Sequence, residues 1–588
     1  MGNSQGGRMV KLYKTFTGAT EAFLQSQFGR LAQIELFVGS VAFLLLFLTA
    51  SGSLRRRHNN QMLKVVLWVA YSLSGYLITY TFGLMRESTF RNPLSNSFSA
   101  YSLEDNEQWK KYAWQNIVRF IGLLTLWTCY LTSLTLTLAV FLLYFVVLLM
   151  KANERALSLM TASASGLQRT TKWIADHISS EHQLLNPGET NPITMKGYKY
   201  VVRVKQTGFE KSFGKVAAPT PNYTRSLEIN EDVITMEKVW ECKGRLLSSS
   251  EGDSDGKLKD ICLSHALYLV LCLRFSGYLL PEEAQEKAWL LIRQGMLRQE
   301  NGYDRAFQVT EMVLTFLHDF FYTSYPIIFQ PGRFQLKVME LLCLIVGTTL
   351  TVVFMMQNTK KLKHDVQLMT SDGLSIDVLM TAVILMVFIC VELVQLFLMA
   401  ISDWAKVTLL CKYVQKRSWQ ESRRIEKLIG LICRVHPKPW ERKLRQYSLL
   451  ESYLYSPSKF LYNNITIAFL DVVRRGQRQS APVRLSPEVK KAVFHSLMNR
   501  IGKLENGQAS LRLNNVSDEL SWACKLETQT QVIMVWHIAT SFLEHEVPNM
   551  FDQIILEAQT VLEGRKTNQE RIERLKEIVN APNECWRL

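Results

Sequence analysis

The sequence has no paired cysteines. Its ten (Cys129, Cys242, Cys262, Cys272, Cys343, Cys390, Cys411, Cys433, Cys524 and Cys585) stand singly, with no C-x-x-C among them, so neither a zinc site nor a disulfide framework is encoded. Reduced, buried thiols and a cytosolic setting for the polar regions are expected instead. The phosphate-binding, dinucleotide-binding, zincin and nucleophile-elbow motifs are also missing,. His177 and His182 lie five apart without acid or cysteine partners at ligand spacing,. No catalytic residue, metal or cofactor is therefore expected. The net charge of +16 comes without a zinc finger, ribonucleoprotein motif or basic zipper, which argues against a nucleic-acid partner. Much of it collects at Arg55 to Arg57, Lys360 to Lys363 and Lys412 to Arg417, beside apolar runs, where the natural counterpart is anionic lipid. There is no internal repeat, no long low-complexity tract and no cleavable signal pattern before the first apolar run,. Gly6 stands where a myristoylation signal wants Ser or Thr,.

What the sequence does have is long apolar runs. Hydrophobic residues make up 48% and charged residues only 20%, yet mean hydropathy is near zero (+0.01), so apolar stretches must alternate with very polar ones. Residues 35–50, 62–85, 336–356 and 376–401 each suit a membrane helix,. Residues 117–150 would span about 50 Å as one helix against a hydrocarbon core of about 30 Å. A hairpin turning near 132–135 is the expected solution, with one long tilted helix as the alternative. A further apolar stretch, 262–280, contains His265 and Arg274 and reads as a buried helix of a soluble region.

The fold class that follows is all-α: a polytopic helical membrane protein of about six transmembrane helices with two mainly helical soluble regions. The boundaries read as an N-terminal segment (1–34), membrane helices 1 to 4 with an acidic loop (35–150), a helical soluble region (151–333), membrane helices 5 and 6 (334–401) and a helical C-terminal region (402–588). The lipid bilayer is the expected partner.

Two places hold polar residues of interest. "AYSLEDNEQW" (100–109) puts Ser102, Glu104, Asp105, Asn106, Glu107 and Trp109 just before the third apolar run. Its acids could bind a metal, but Ser102 and Asp105 have capping-box spacing and Trp109 suits an interfacial aromatic belt. A local structural role in ordering the next helix is expected. Glu392 lies inside the last apolar run, where a carboxylate costs several kcal/mol unless it faces protein or water. The expectation is pairing with a buried polar group rather than an ion pathway.

These strings resemble the plant membrane proteins that carry the domain of unknown function 4220, in which an "AYSLEDNELW"-like string precedes the third membrane helix. "KANERALSLMTAS" (151–163), "AFQVTEMVLTFLHDFFYT" (306–323) and "SDW" (402–404, with Asp403 and Trp404) are similar to later family strings in the same order. "VIMVWHIATSFLEHE" (532–546), with His537, is similar to the start of a partner domain of unknown function 594. The string usually preceding the acidic motif is replaced by "RESTFRNPLSNSFS", and Leu543 stands where a cysteine often follows "HIAT". His537, in an apolar helix, is expected to be a packing residue.

The resemblance implies a plant multi-pass membrane protein, in the plasma membrane or an endomembrane, whose biochemistry is unassigned. A non-enzymatic scaffold or signalling protein acting through protein contacts is the first expectation. A transporter or channel using the six helices, and a membrane-bound enzyme with an unrecognised site, are the alternatives.

Overall fold

The computed structural model describes residues 27–57, 61–85, 103–129, 135–184, 190–204, 233–248, 252–253, 255–278, 281–298, 302–330, 332–361, 376–435, 440–444, 482–498, 508–513, 515–526 and 528–545. Helix accounts for 82% of them, so the coarse fold class holds, with two short strand pairs as exceptions. In chain order the first helices are α1 (Gln27–Arg57), α2 (Gln61–Met85), α3 (Leu103–Glu107), α4 (Trp109–Cys129), α5 (Thr135–Ala162) and α6 (Ala164–Leu184). Strands β1 (Val201–Val204) and β2 (Val233–Thr235) lead to α7 (Met236–Glu241), α8 (Lys257–Phe275), α9 (Glu282–Leu290), α10 (Gly302–Tyr322) and α11 (Tyr325–Ile328). Then come α12 (Arg333–Lys361), α13 (Ile376–Ala400), α14 (Asp403–Gln415), α15 (Arg417–Glu421) and α16 (Arg423–Arg434). Strands β3 (Lys443–Leu444) and β4 (Val483–Arg484) precede α17 (Pro487–Met498), α18 (Gln508–Leu513), α19 (Ser517–Cys524) and α20 (Gln529–His545).

Among the described residues three helices are long and apolar enough to cross a bilayer: α1 over Gln33–Gly52, α12 over Arg333–Gln357 and α13 over Val378–Ala400. Each carries about twenty or more mostly apolar residues, which at 1.5 Å per residue matches the hydrocarbon thickness. In α2 the apolar stretch is shorter, Val65–Leu77. The run at 117–150 divides into α4 and α5 rather than forming one helix. Residues 130–134 lie outside the described set, but the rings of Phe120 and Phe145 meet at 5.6 Å, symmetrically about that gap, as an antiparallel hairpin requires. Phe43 of α1 and Met386 and Phe397 of α13 are among the exposed large hydrophobics.

The chain divides into two compact units, residues 1–288 with 308–440 and residues 289–307 with 441–588. In the first, Ile34, Val38, Val41, Ala42 and Leu45 of α1 pack on Ile384 and Phe388 of α13, while Leu48 meets Leu67 and Ala70 of α2. Helix α5 continues across residue 150, through Lys151 to Ala162. It runs into a helical layer whose centre is α8, the stretch expected to be a buried soluble helix. Ile261, Cys262, Leu263, His265 and Ala266 of α8 are all buried, against α6, α7, α14 and β1. Strands β1 and β2 pair antiparallel with a bulge between Val201 and Arg203. Gly244 passes so close to Tyr413 that a Cβ there would fall 2.4 Å from the phenol oxygen, which is the physical reason for glycine at that point.

In the second unit, β3 and β4 form a two-residue antiparallel pair. Phe307 and Phe494 meet edge to face at 5.1 Å, beside an ion pair of Lys490 with Asp304 at 2.7 Å. Leu511, Leu520 and Cys524 form a small core on which Trp536 packs.

Candidate functional site

Where α5, α12 and α13 meet, six ionisable side chains are drawn together. Lys151 of α5 contacts Glu340 of α12 at 2.6 Å and Glu392 of α13 at 2.5 Å. Lys337, one turn before Glu340, reaches Glu154 and Glu340 at 3.2 Å each and Glu392 at 3.9 Å. Arg333, at the start of α12, is in electrostatic contact with Glu154. Three carboxylates thus face three cations. The side chains of Glu340 and Glu392 are only 3% and 5% exposed, so an unpaired charge here would bear a desolvation cost that the mutual pairing offsets. Beside the network, Arg155 donates to the Tyr71 hydroxyl at 3.2 Å and lies 4.8 Å from the centre of the Tyr112 ring. One turn of α5 thereby ties together α2, α4, α12 and α13.

The expected pairing of Glu392 with a buried group is what the geometry shows, and Glu340 is a second buried carboxylate at the same place. Lys151, Glu154, Lys337 and Glu340 were missed. A signal did exist: both "KANE" (151–154) and "KVME" (337–340) have Lys-x-x-Glu spacing at an edge of an apolar run, which puts acid and base on one helix face.

The acidic string turns out to work at long range. Ser102, with its expected capping role, lies outside the described residues. Leu103–Glu107 forms the short helix α3, with Glu104 exposed, Asp105 half-buried and Asn106 buried. Asn106 donates through Nδ2 to the Phe321 carbonyl at 3.2 Å. Glu107 accepts from the Ala164 backbone amide at 2.7 Å, at the N-terminus of α6, where unsatisfied amides and the helix dipole favour a carboxylate. Beside its backbone continuity with α4, the string thus also tethers α3 to the α5–α6 junction and to the end of α10. Trp109 begins α4, half-buried, with Lys110 5.8 Å from its ring centre.

"SDW" closes α13 and opens α14. Ser402 is the N-cap, accepting from the Ala405 amide at 3.2 Å. Asp403 pairs at 2.7 Å with Lys406, whose side chain is fully buried. Trp404 enters an aromatic cluster with His265 at 5.1 Å, Phe316 at 5.6 Å and Tyr268 at 5.7 Å. Behind that cluster Arg203 of β1 donates to the Thr408 hydroxyl and the Phe329 carbonyl. Burial first, and the Arg203 charge second, push the His265 pKa down to about 3 against a backbone hydrogen bond at Val202, so the imidazole is neutral at physiological pH. Burial likewise pushes Cys411 up to about 12, in spite of nearby Arg203. His537 sits half-buried in α20, next to Trp536, which packs on the small core of the second unit.

Among the described residues no group of three or more His, Cys, Asp or Glu is arranged to hold a metal. The family described as domain of unknown function (DUF4220) matches residues 68–453, a span that contains the ion network, the acidic string and "SDW". No curated protein and no solved structure matches the chain.

Proposed function

The chain belongs to the DUF4220 family, whose description assigns no activity, and from that premise we propose a non-enzymatic plant membrane scaffold or signalling protein. About six transmembrane helices hold helical regions at one face of a plasma membrane or endomembrane, and those regions act by contacting other proteins. Support for six crossings comes from α1, α12 and α13 by length and apolarity, from α2 as an antiparallel neighbour of α1, and from the α4–α5 hairpin. The plant setting, and a C-terminal region related to the domain of unknown function 594, rest on the resemblance of the quoted strings.

The observation that carries the scaffold reading is the charge-balanced network. Lys151, Lys337 and Arg333 against Glu154, Glu340 and Glu392 fix α5, α12 and α13 where the bundle meets the helical layer. A closed network of this kind holds helices in register. The second reading, a proton- or cation-coupled transporter, draws on one feature: a single ammonium shared by Glu340 and Glu392, a pairing that one added proton would change,. Flux of protons, sodium and potassium in vesicles containing the purified full chain separates the two. The scaffold reading expects flux no higher than in empty vesicles. Transport by the wild type that Glu392→Gln abolishes at unchanged folded yield would establish the second reading.

A further inference from the structure

Helix α16 exposes an apolar strip in the helical layer that its own fold leaves uncovered. Ile429 and Cys433 turn inward and are buried, but Leu428 and Leu431 are 58% and 62% exposed, and Val435 just beyond is 42% exposed. At about 100° per residue these three fall within about 60° of arc. Next to them around the helix lie Lys427, Arg434 and Arg423, with Arg424 among the apolar three; all four basic side chains are exposed. The helix has one acid, Glu426, and it is engaged elsewhere: it accepts from the Tyr413 hydroxyl at 2.7 Å and pairs with Arg245 at 3.3 Å. The outward face therefore carries four positive charges and no competing carboxylate of its own.

The path of the chain returns this face to the membrane exit. Membrane helix α13 ends at Ala400 and α14 begins at Asp403. Past the short α15, α16 doubles back along α14. Its first turn meets the far end of α14 through Glu426 and Tyr413. Cys433, in its last turn, lies in the field of Asp403 and Lys406 at the near end. Leu431, Arg434 and Val435 thus come back to the level at which α13 leaves its apolar span.

We infer that α16 is an interfacial helix. Leu428, Leu431 and Val435 enter the boundary between headgroups and acyl chains of the leaflet where α13 ends, and Arg423, Arg424, Lys427 and Arg434 bind anionic phospholipid headgroups. An exposed apolar strip edged by basic residues is the composition that lies in a membrane surface, and each basic residue near an anionic leaflet adds attraction that salt screens. The inference rests on the reading of α13 as a membrane helix.

The test uses the full chain in nanodiscs of phosphatidylcholine, alone or with about one third phosphatidylserine. A benzophenone amino acid replaces Leu431, or Met386, which is 58% exposed on the apolar face of α13. Lipid adducts are counted by mass spectrometry after irradiation. The inference expects lipid adducts at both positions. Those at 431 should rise several-fold with phosphatidylserine and fall back when Arg423, Arg424, Lys427 and Arg434 are all changed to glutamine, while those at 386 respond to neither. Lipid adducts at 386 with none at 431, or adducts at 431 to a second copy of the chain, overturn the interfacial helix and leave the membrane reading standing. No lipid adducts at either position overturns both.

Discussion

Lys151 holds Glu392 at 2.5 Å across 241 residues of chain, and the same ammonium reaches Glu340 at 2.6 Å. Both carboxylates share a cation that belongs to a third helix, with Lys337 as their second partner. Glu392→Gln removes one anion and leaves the cations in excess, and Lys151→Met leaves two buried carboxylates to Lys337 alone. Each single change is expected to destabilise the chain by about 3 to 5 kcal/mol, the range for breaking a buried ion pair from one side. The double variant should cost clearly less than the sum, because charges and their partners disappear together. Thermal unfolding in one detergent, run as a double-mutant cycle, measures this. Strict additivity would show that the two side chains do not act as a pair.

Glu107 and Asn106 make different kinds of contact, and their variants should separate. Glu107→Ala removes a carboxylate from the N-terminus of α6 and should cost about 0.5 to 2 kcal/mol. Asn106→Ala strips a buried hydrogen bond to Phe321 and should cost about 1 to 3 kcal/mol. The readout is thermal unfolding combined with the rate of proteolysis near residue 163, which should rise in both. Tight divalent-cation binding that Glu107→Gln abolishes would replace the tether with a metal site.

Length and apolarity are one-dimensional signals, which is why the long apolar helices α1, α12 and α13 are legible in the sequence. The hairpin at 117–150 followed from length alone, since one helix would overshoot the bilayer. Pairings are not one-dimensional. Lys151 meets Glu392, and Arg203 meets Thr408, across more than two hundred residues, and no local pattern states which cation finds which acid. Lys-x-x-Glu spacing marks four of the six network residues but not which of them meet. The acidic string is recognisable as a motif, but its contacts with Ala164 and Phe321 are long-range and could not be read from it. The four short strands were missed because two- to four-residue pairs leave almost no periodicity to read.

His265 makes stability depend on pH. Its pKa is about 3 in the fold against an ordinary 6.5, so between those values the unfolded chain binds a proton that the folded chain does not. Stability from this group is complete above pH 6.5 and is lost as pH falls toward 3, by about 1.4 kcal/mol per unit within that window. His265→Phe cannot titrate. It should begin less stable by about 1 kcal/mol through loss of the hydrogen bond at Val202, and then decline more gently on acidification. The difference between the two unfolding profiles from pH 7 to pH 4 isolates this residue from other titrating groups. Parallel profiles would show that the imidazole is protonated in the fold.

The ion network also relates the ends of α5, α12 and α13, and in the membrane reading that has a topological consequence. Lys337 lies four residues, about 6 Å, inside the start of α12, and Glu392 lies eight residues, about 12 Å, before the end of α13. Both touch the stretch of α5 where the apolar run gives way to Lys151 and Glu154. These contacts require the chain leaving α5, the chain entering α12 and the chain leaving α13 to lie on one side of the bundle. We predict that this side is cytosolic. Arg55 to Arg57 and Lys360 to Lys363 would then face away from the cytosol, against the usual excess of basic residues inside. Weighing for the prediction, Cys262, Cys272, Cys411 and Cys433 are buried and unpaired, as suits a reducing compartment. Three sequons report the outcome: those at Asn222, Asn464 and Asn515, the last exposed at a turn with φ 57°. In a microsomal expression system all three should stay unmodified, whereas a sequon placed in a lengthened loop inserted after Leu368 should be glycosylated. A glycan at Asn222, in the region between α5 and α12, with none in the inserted loop, would put the helical layer in the lumen and reverse the arrangement.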